Sequence, residues 1–172
     1  MIIEPSNSAD LSALHRLVHS AYRGDSARAG WTHEADLLDG QGTDEAALAE
    51  VLADPGQAIL VARDDEVLAG CISVAAKDGG LAYIGMVTVD PQRQNSGLGR
   101  HLLEAAETYA RDHFGCTRAE MTVIAVRIEL IAWYERRGYA ATGETRPFPA
   151  ADPRFGLPRR DDLEFIVLDK AL

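Results

Sequence analysis

The stretch Val87–Leu103, VTVDPQRQNSGLGRHLL, constrains this chain more than any other. An apolar strand ends at Asp90-Pro91. A short polar loop with Gln94, Gly97 and Gly99 follows, and a helix opens on those glycines and runs to about Phe114. Strand, glycine-bearing loop and helix, in that order, make a geometry that holds phosphate. The first-turn N–H groups lack intrahelical partners, and the helix dipole puts partial positive charge beside them. The spacing narrows the kind of binder. No Gly-Lys-Ser/Thr follows, so the loop is not a P-loop, and its G-x-G lacks the third glycine of a dinucleotide fingerprint. A helix merely entered through flexible residues is the plainer alternative.

Gln94-x-x-Gly97-x-Gly99, approached through Val87-Thr88-Val89-Asp90-Pro91, resembles the acyl-CoA pyrophosphate loop of the GNAT superfamily of N-acetyltransferases. Arg127–Tyr139, RIELIAWYERRGY, resembles that family's second signature: a helix, an aromatic pair, then Gly-Tyr or Gly-Phe opening a strand. Two positions depart from the commonest pattern. Arg127 stands where an asparagine is usual, and Leu130 where an alanine is usual. The resemblance spans about Ile72 to Tyr139. It implies one α/β domain over residues 1–172 (α+β by strand order), with a mixed, mostly antiparallel sheet of six to seven strands and helices on both faces. It also implies acetyl-CoA as co-substrate and a primary amine as acceptor. Gln94, Asn95, Ser96, Gly97, Leu98 and Gly99 would hold the pyrophosphate, flanked by Arg93 and Arg100. Met86, Val87 and Val89 match the bulged strand that meets thioester and pantetheine. Tyr134 matches the tyrosine used as general acid toward the CoA sulfur, a sensible role because acyl transfer from a thioester releases a thiolate. A phenol (pKa ~10) within hydrogen-bond reach can protonate or stabilise such a sulfur (thiol pKa ~8.5).

The rest of the chain reads in order. Ile2-Ile3 forms a short strand ended by Pro5, and Asn7 or Ser8 caps a helix to about Tyr22, with Leu11, Leu14, Val18 and Ala21 on one face. His15 and His19 lie one turn apart on that helix, with no third metal ligand apparent. Residues 23–42 are irregular. Their Trp31, His33 and Glu34 are candidates for an acceptor-side wall, with Trp31 as a plug of the core edge the alternative. Thr43 can cap a helix over Asp44–Ala53, stopped by Pro55-Gly56. Strands over Ala58–Arg63, Val67–Ala76 and Leu81–Val89 have short connections and read as an antiparallel meander. Gly85 inside the third strand marks a bulge, a close backbone approach, or room for a packed helix. Further on come a strand over Thr117–Ile124, a helix over Ile128–Arg137, and strands near Tyr139–Arg146 and Asp162–Lys170. The four-proline segment before the last strand reads as an ordered surface loop. An exposed final strand near Leu163–Leu168 would offer an edge to a second copy, which makes a homodimer plausible.

At 172 residues one domain is expected. No apolar run approaches the ~18 residues of a membrane helix, and MIIEPSNSAD does not read as a signal peptide, so a cytoplasmic address without membrane association is expected. Cys71 and Cys116 read as reduced core thiols, and no His/Cys spacing suggests a metal. A net charge of −10 argues against nucleic acid and leans toward a cationic acceptor, although solubility alone explains it as well. An ammonium must lose a proton before attacking, and Glu34 and Glu120 are the candidate bases, each with a solvated surface acid as the plainer reading. Two other functions stay open. A non-catalytic acyl-CoA-binding module would bind without releasing thiol. A small nucleotide transferase would need a Mg²⁺-binding acid pair that the sequence lacks.

Overall fold

The computed structural model describes residues 1–22, 38–39, 44–94, 96–147, 157–158 and 164–172. In chain order the strands are β1 (Ile2–Pro5), β2 (Leu38–Asp39), β3 (Gln57–Asp64), β4 (Val67–Lys77), β5 (Leu81–Val89), β6 (Arg118–Ile124), β7 (Ala140–Pro147), β8 (Leu157–Pro158) and β9 (Glu164–Ala171). The helices are α1 (Leu11–Tyr22), α2 (Glu45–Ala53), α3 (Leu98–Asp112) and α4 (Ile128–Glu135). One seven-stranded sheet runs β1-β3-β4-β5-β6-β9-β7, and β2 pairs with β8 separately. The sheet is mixed and mostly antiparallel, and helices cover both of its faces, as the resemblance implies.

The meander β3-β4-β5 forms because its connections are too short for anything but antiparallel return. Its middle strands are buried on both sides, which explains their near-continuous apolar runs. Leu98, Leu102, Leu103, Ala106 and Ala110 bury the apolar face of α3 against Ile72, Val74, Ala82 and Ile84. On the opposite face, Leu14, Leu17 and Val18 of α1 and Leu48 of α2 cover Ile59, Val61 and Cys71. Asn7, rather than Ser8, makes the first cap, with its Oδ1 accepting from the Ala9 N–H at 2.9 Å. The α2 cap falls on Asp44, whose Oδ1 accepts from the Ala47 N–H at 2.7 Å; Thr43 lies outside the described residues.

Two features of β5 position the site. First, β5 pairs in parallel with β6, and α3 supplies the crossover that a parallel pair needs. That ladder covers only Leu81–Tyr83 against Arg118–Glu120. Beyond it the strands part, with the Tyr83 and Thr122 hydroxyls 2.5 Å apart just past the last rung. Second, the β4-β5 register slips. Cys71 faces Thr88 and Ser73 faces Gly85, so Met86 and Val87 together oppose Ile72. This is a bulge, and Met86 sits in it at φ 50°, in the left-handed region. Gly85 carries a different constraint: a Cβ there would lie 3.3 Å from Ser73 Oγ and 3.4 Å from the Tyr83 ring.

The far half of the sheet corrects one expectation. β9 is not an exposed edge; it lies between β6 and β7, with Val167 and Leu168 buried. Leu163 lies outside the described residues. The edge is β7, exposed along most of its length and broken by a register slip between Ala141 and Thr145, a device that blunts edge pairing. Lys170 of β9 donates to both Glu107 oxygens of α3, at 3.0 and 2.8 Å, and ties this half of the sheet to the crossover helix.

Cys71 and Cys116 are both unbridged and buried. Desolvation pushes the Cys71 thiol up to about 12 and raises Cys116 as well. The unfolded thiol ionises near pH ~8.5, so the Cys71 contribution to stability is complete below that pH and declines as pH rises toward the folded value. Between pH 7.5 and 9.5 this amounts to a loss of about 1.4 kcal/mol. Urea midpoints at the two pH values should show a fall at least that large, and Cys71→Ala should remove the Cys71 share while leaving that of Cys116.

Candidate active site

The loop after β5 is held by its own side chains. Asp90 Oδ1 accepts from the Gln92 N–H at 3.0 Å, and Ser96 Oγ donates to the Arg93 carbonyl at 2.6 Å. Gly97 then turns the chain into α3 at φ 83°, a left-handed conformation that a side chain would strain. No side chain caps α3, and its first intrahelical bond is His101 N–H to the Gly97 carbonyl. The Leu98, Gly99 and Arg100 amides precede that bond, at the positive end of the dipole. Gly99 lies beside α4. A Cβ there would lie 3.4 Å from the Trp133 ring and 3.7 Å from Val89, at van der Waals distance, so α4 packs directly against the start of α3 at this position.

The end of β5, the start of α3 and the face of α4 enclose a cleft of about 450 Å³. Val87, Thr88 and Val89 of β5 form one wall, and Gln94 with Gly97–Arg100 closes one end. Leu130, Trp133 and Tyr134 of α4 face them. Tyr134 is 5% exposed, and its ring meets Trp133 and Tyr139 edge-on at 5.1 and 6.1 Å. A phenol held this firmly beside a helix N-terminus can hydrogen-bond to a developing anion in the cleft.

Five arginines line the same cleft in a chain of net charge −10. Arg93 is committed to Asp64 at 2.8 Å, a hydrogen bond that holds the Asp64 carboxyl below the usual carboxylate range. Arg127, 7% exposed, occupies the residue before α4. Arg100 has a partner in Glu104, at 3.9 Å. Arg137 lies over the Trp133 ring, 4.1 Å from its centroid, and donates to the Trp133 carbonyl at 3.1 Å. Its Nε is buried without a hydrogen-bond partner. Burial, then repulsion from Arg136 and Arg100, lowers the Arg137 pKa. Arg136 and Arg137 were not anticipated from the sequence as site residues; an Arg-Arg pair just after Tyr134-Glu135 in an acidic chain was the available signal.

Of the residues anticipated, Val87, Val89, Gln94, Gly97, Leu98, Gly99, Arg100 and Tyr134 come together on this cleft. The Met86 side chain packs instead against the α1-side core, and Ser96 fastens the loop from outside the cleft wall. Glu120 stands on β6 with its carboxylate bonded to Arg146 at 3.1 Å and a side chain 15% exposed, and it is not part of the cleft wall. Asn95, Trp31, His33 and Glu34 lie outside the described residues. Among the described residues no group of His, Cys, Asp or Glu has metal-binding geometry, and no helix is long and apolar enough to cross a membrane.

Comparison with known proteins agrees with this architecture. No curated protein matches the chain. Ribosomal-protein-alanine N-acetyltransferase from Brucella melitensis superposes with a TM-score of 0.74 at 20% identity, over 100% of both chains. A spermidine N-acetyltransferase chimera from Vibrio cholerae gives 0.71 at 16% identity, over 99% of this chain and 94% of that one. Nourseothricin acetyltransferase gives 0.58 at 22% identity over 69% of this chain, which spans 66% of that protein. These identities speak for the fold. The acetyltransferase (GNAT) family model matches residues 13–139, so the chain belongs to the GNAT family of acetyltransferases.

Proposed function

We propose that this protein moves an acetyl group from acetyl-CoA to a primary amine by direct attack, without a metal and without an acyl-enzyme. One observation carries the reading: the uncapped start of α3, the bulged wall of β5 and the buried Tyr134 line a single cleft. The amides from Gln94 to Gly99 hold the diphosphate, and Arg100, Arg136 and Arg137 supply charge to its phosphate oxygens. The backbone at Met86–Val87 donates to the thioester carbonyl as negative charge develops there. Tyr134 assists the departing sulfur. Glu34, or Glu120 reached through water from its place outside the cleft wall, takes the proton from the attacking ammonium.

Net charge supports a cationic acceptor, so the amine panel includes a polyamine, amino acids, an aminoglycoside and peptides with free N-termini. Thiol release from acetyl-CoA, followed over that panel, tests the proposal. Amine-dependent release is the expected result. Thermal stabilisation by acetyl-CoA without release from any amine would instead identify a binding module, and stabilisation only by nucleotides lacking pantetheine would identify a different enzyme.

A further inference from the structure

The bulge in β5 is held by side chains that the reaction itself does not need. Met86 keeps a left-handed backbone although it is not glycine, and such a residue persists only where its surroundings impose it. Its carbonyl accepts from the Thr88 hydroxyl at 3.0 Å, and the Cys71 thiol lies 3.9 Å from the same oxygen. Thr88 is 1% exposed, so no water competes for that carbonyl at the Thr88 side. The thiol stays protonated at neutral pH and remains a weak second donor. Just past the bulge, a Cβ on Gly70 would lie 2.8 Å from the Thr88 carbonyl, so β4 and β5 are in close backbone contact there.

A peptide group is planar, and none in the described chain is cis. The Met86 carbonyl and the Val87 N–H share one such plane and point in opposite directions. Turning that carbonyl toward Thr88 and Cys71 therefore turns the Val87 N–H away from them, and Val87 lies on the cleft wall. We propose that Thr88, seconded by Cys71, is a positioning residue: its hydroxyl fixes the Met86–Val87 peptide plane and so aims the Val87 N–H at the acyl carbonyl. This inference rests on the acyl-transfer reading above and adds the group that sets the orientation of the donor.

Thr88→Val keeps the side-chain shape and removes the hydroxyl. With an amine found by the thiol-release panel, kcat should fall about tenfold, a fraction of the 10²–10³ that losing a whole oxyanion donor costs, while Kd for CoA, which has no acyl carbonyl, stays within about twofold. Thr88→Ser restores a hydroxyl and should recover kcat. A second readout needs no turnover. The Val87 amide resonance should respond differently to acetyl-CoA and to CoA in the wild type and in Thr88→Ser, and alike to both in Thr88→Val. Unchanged kcat with an unchanged Val87 response overturns the positioning role. A wild-type protein that binds acetyl-CoA but releases no thiol overturns the acyl-transfer reading, and the Val87 response then decides for or against Thr88. A protein that binds neither ligand overturns both.

Discussion

Replacing Tyr134 by phenylalanine is expected to lower kcat about a hundredfold while acetyl-CoA affinity stays within about twofold, the lower end of what a positioned proton donor contributes. The ring is the structural part of this side chain. It is buried and packed edge-on against Trp133 and Tyr139, and phenylalanine preserves every one of those contacts. The hydroxyl alone is lost, so a fall in turnover without loss of fold isolates it.

Magnitudes also indicate how the hydroxyl acts. Full proton transfer from a free phenol to a thiolate is uphill by ~1.5 pKa units, or about 2 kcal/mol. A hydrogen bond to the leaving sulfur, formed as charge develops, avoids that cost and still lowers the barrier. Steady-state kcat with the best amine, together with calorimetric Kd for acetyl-CoA, measures the split. A phenylalanine variant with wild-type kcat would leave the sulfur to depart unassisted and remove Tyr134 from the mechanism.

How far such a site can be read from sequence depends on whether its parts are local. The Gly97 and Gly99 loop is local: its chemistry lies within a few consecutive residues, and the strand before it and helix after it fall where their patterns place them. The β3-β4-β5 meander is legible for the same reason, because short connections leave no other pairing. The bulge was half legible. Gly85 marked the place, but the left-handed residue is Met86, held there by Thr88, and no propensity rule allots that conformation to a methionine. The position of β9 was not legible at all. Its pattern identifies a strand, but choosing β6 and β7 as its neighbours is a long-range pairing with no local signal. The arginine cluster failed in the same way. Arg100 lies on α3 and Arg137 in the turn after α4, and the approach of Trp133 to Gly99 brings them together. Candidates for the acceptor wall and one of the two bases fall on residues 23–37, outside the described residues.

The arginine cluster carries the second large prediction. Arg136→Gln combined with Arg137→Gln should weaken acetyl-CoA binding about a hundredfold, from about 1.4 kcal/mol per lost charge-assisted contact. Glutamine keeps a shorter stem and a polar end but removes the Arg137 guanidinium that lies over Trp133, so both the charge and that stacking contact are lost. The electrostatics explain why the effect should be large in this chain. The protein carries −10 overall and would repel a phosphate-rich ligand, so attraction must come from a local field. Burial first, and then repulsion from Arg136 and Arg100, lowers the pKa of Arg137, while Glu104 acts in the opposite direction. A bound phosphate would relieve that repulsion and satisfy the buried Arg137 Nε together. Affinity should therefore fall with added salt in the wild type, since the Debye length shortens from ~10 Å at 0.1 M to ~3 Å at 1 M, and the double variant should lose most of that dependence. Acetyl-pantetheine, which has no phosphate, should bind both proteins equally. The melting temperature reports the structural cost separately, because Arg137→Gln also loses the stacking on Trp133 and the hydrogen bond to its carbonyl. Calorimetry at low and high salt distinguishes this account from one in which the α3 amides alone hold the ligand, for then both affinity and salt dependence would survive the double substitution.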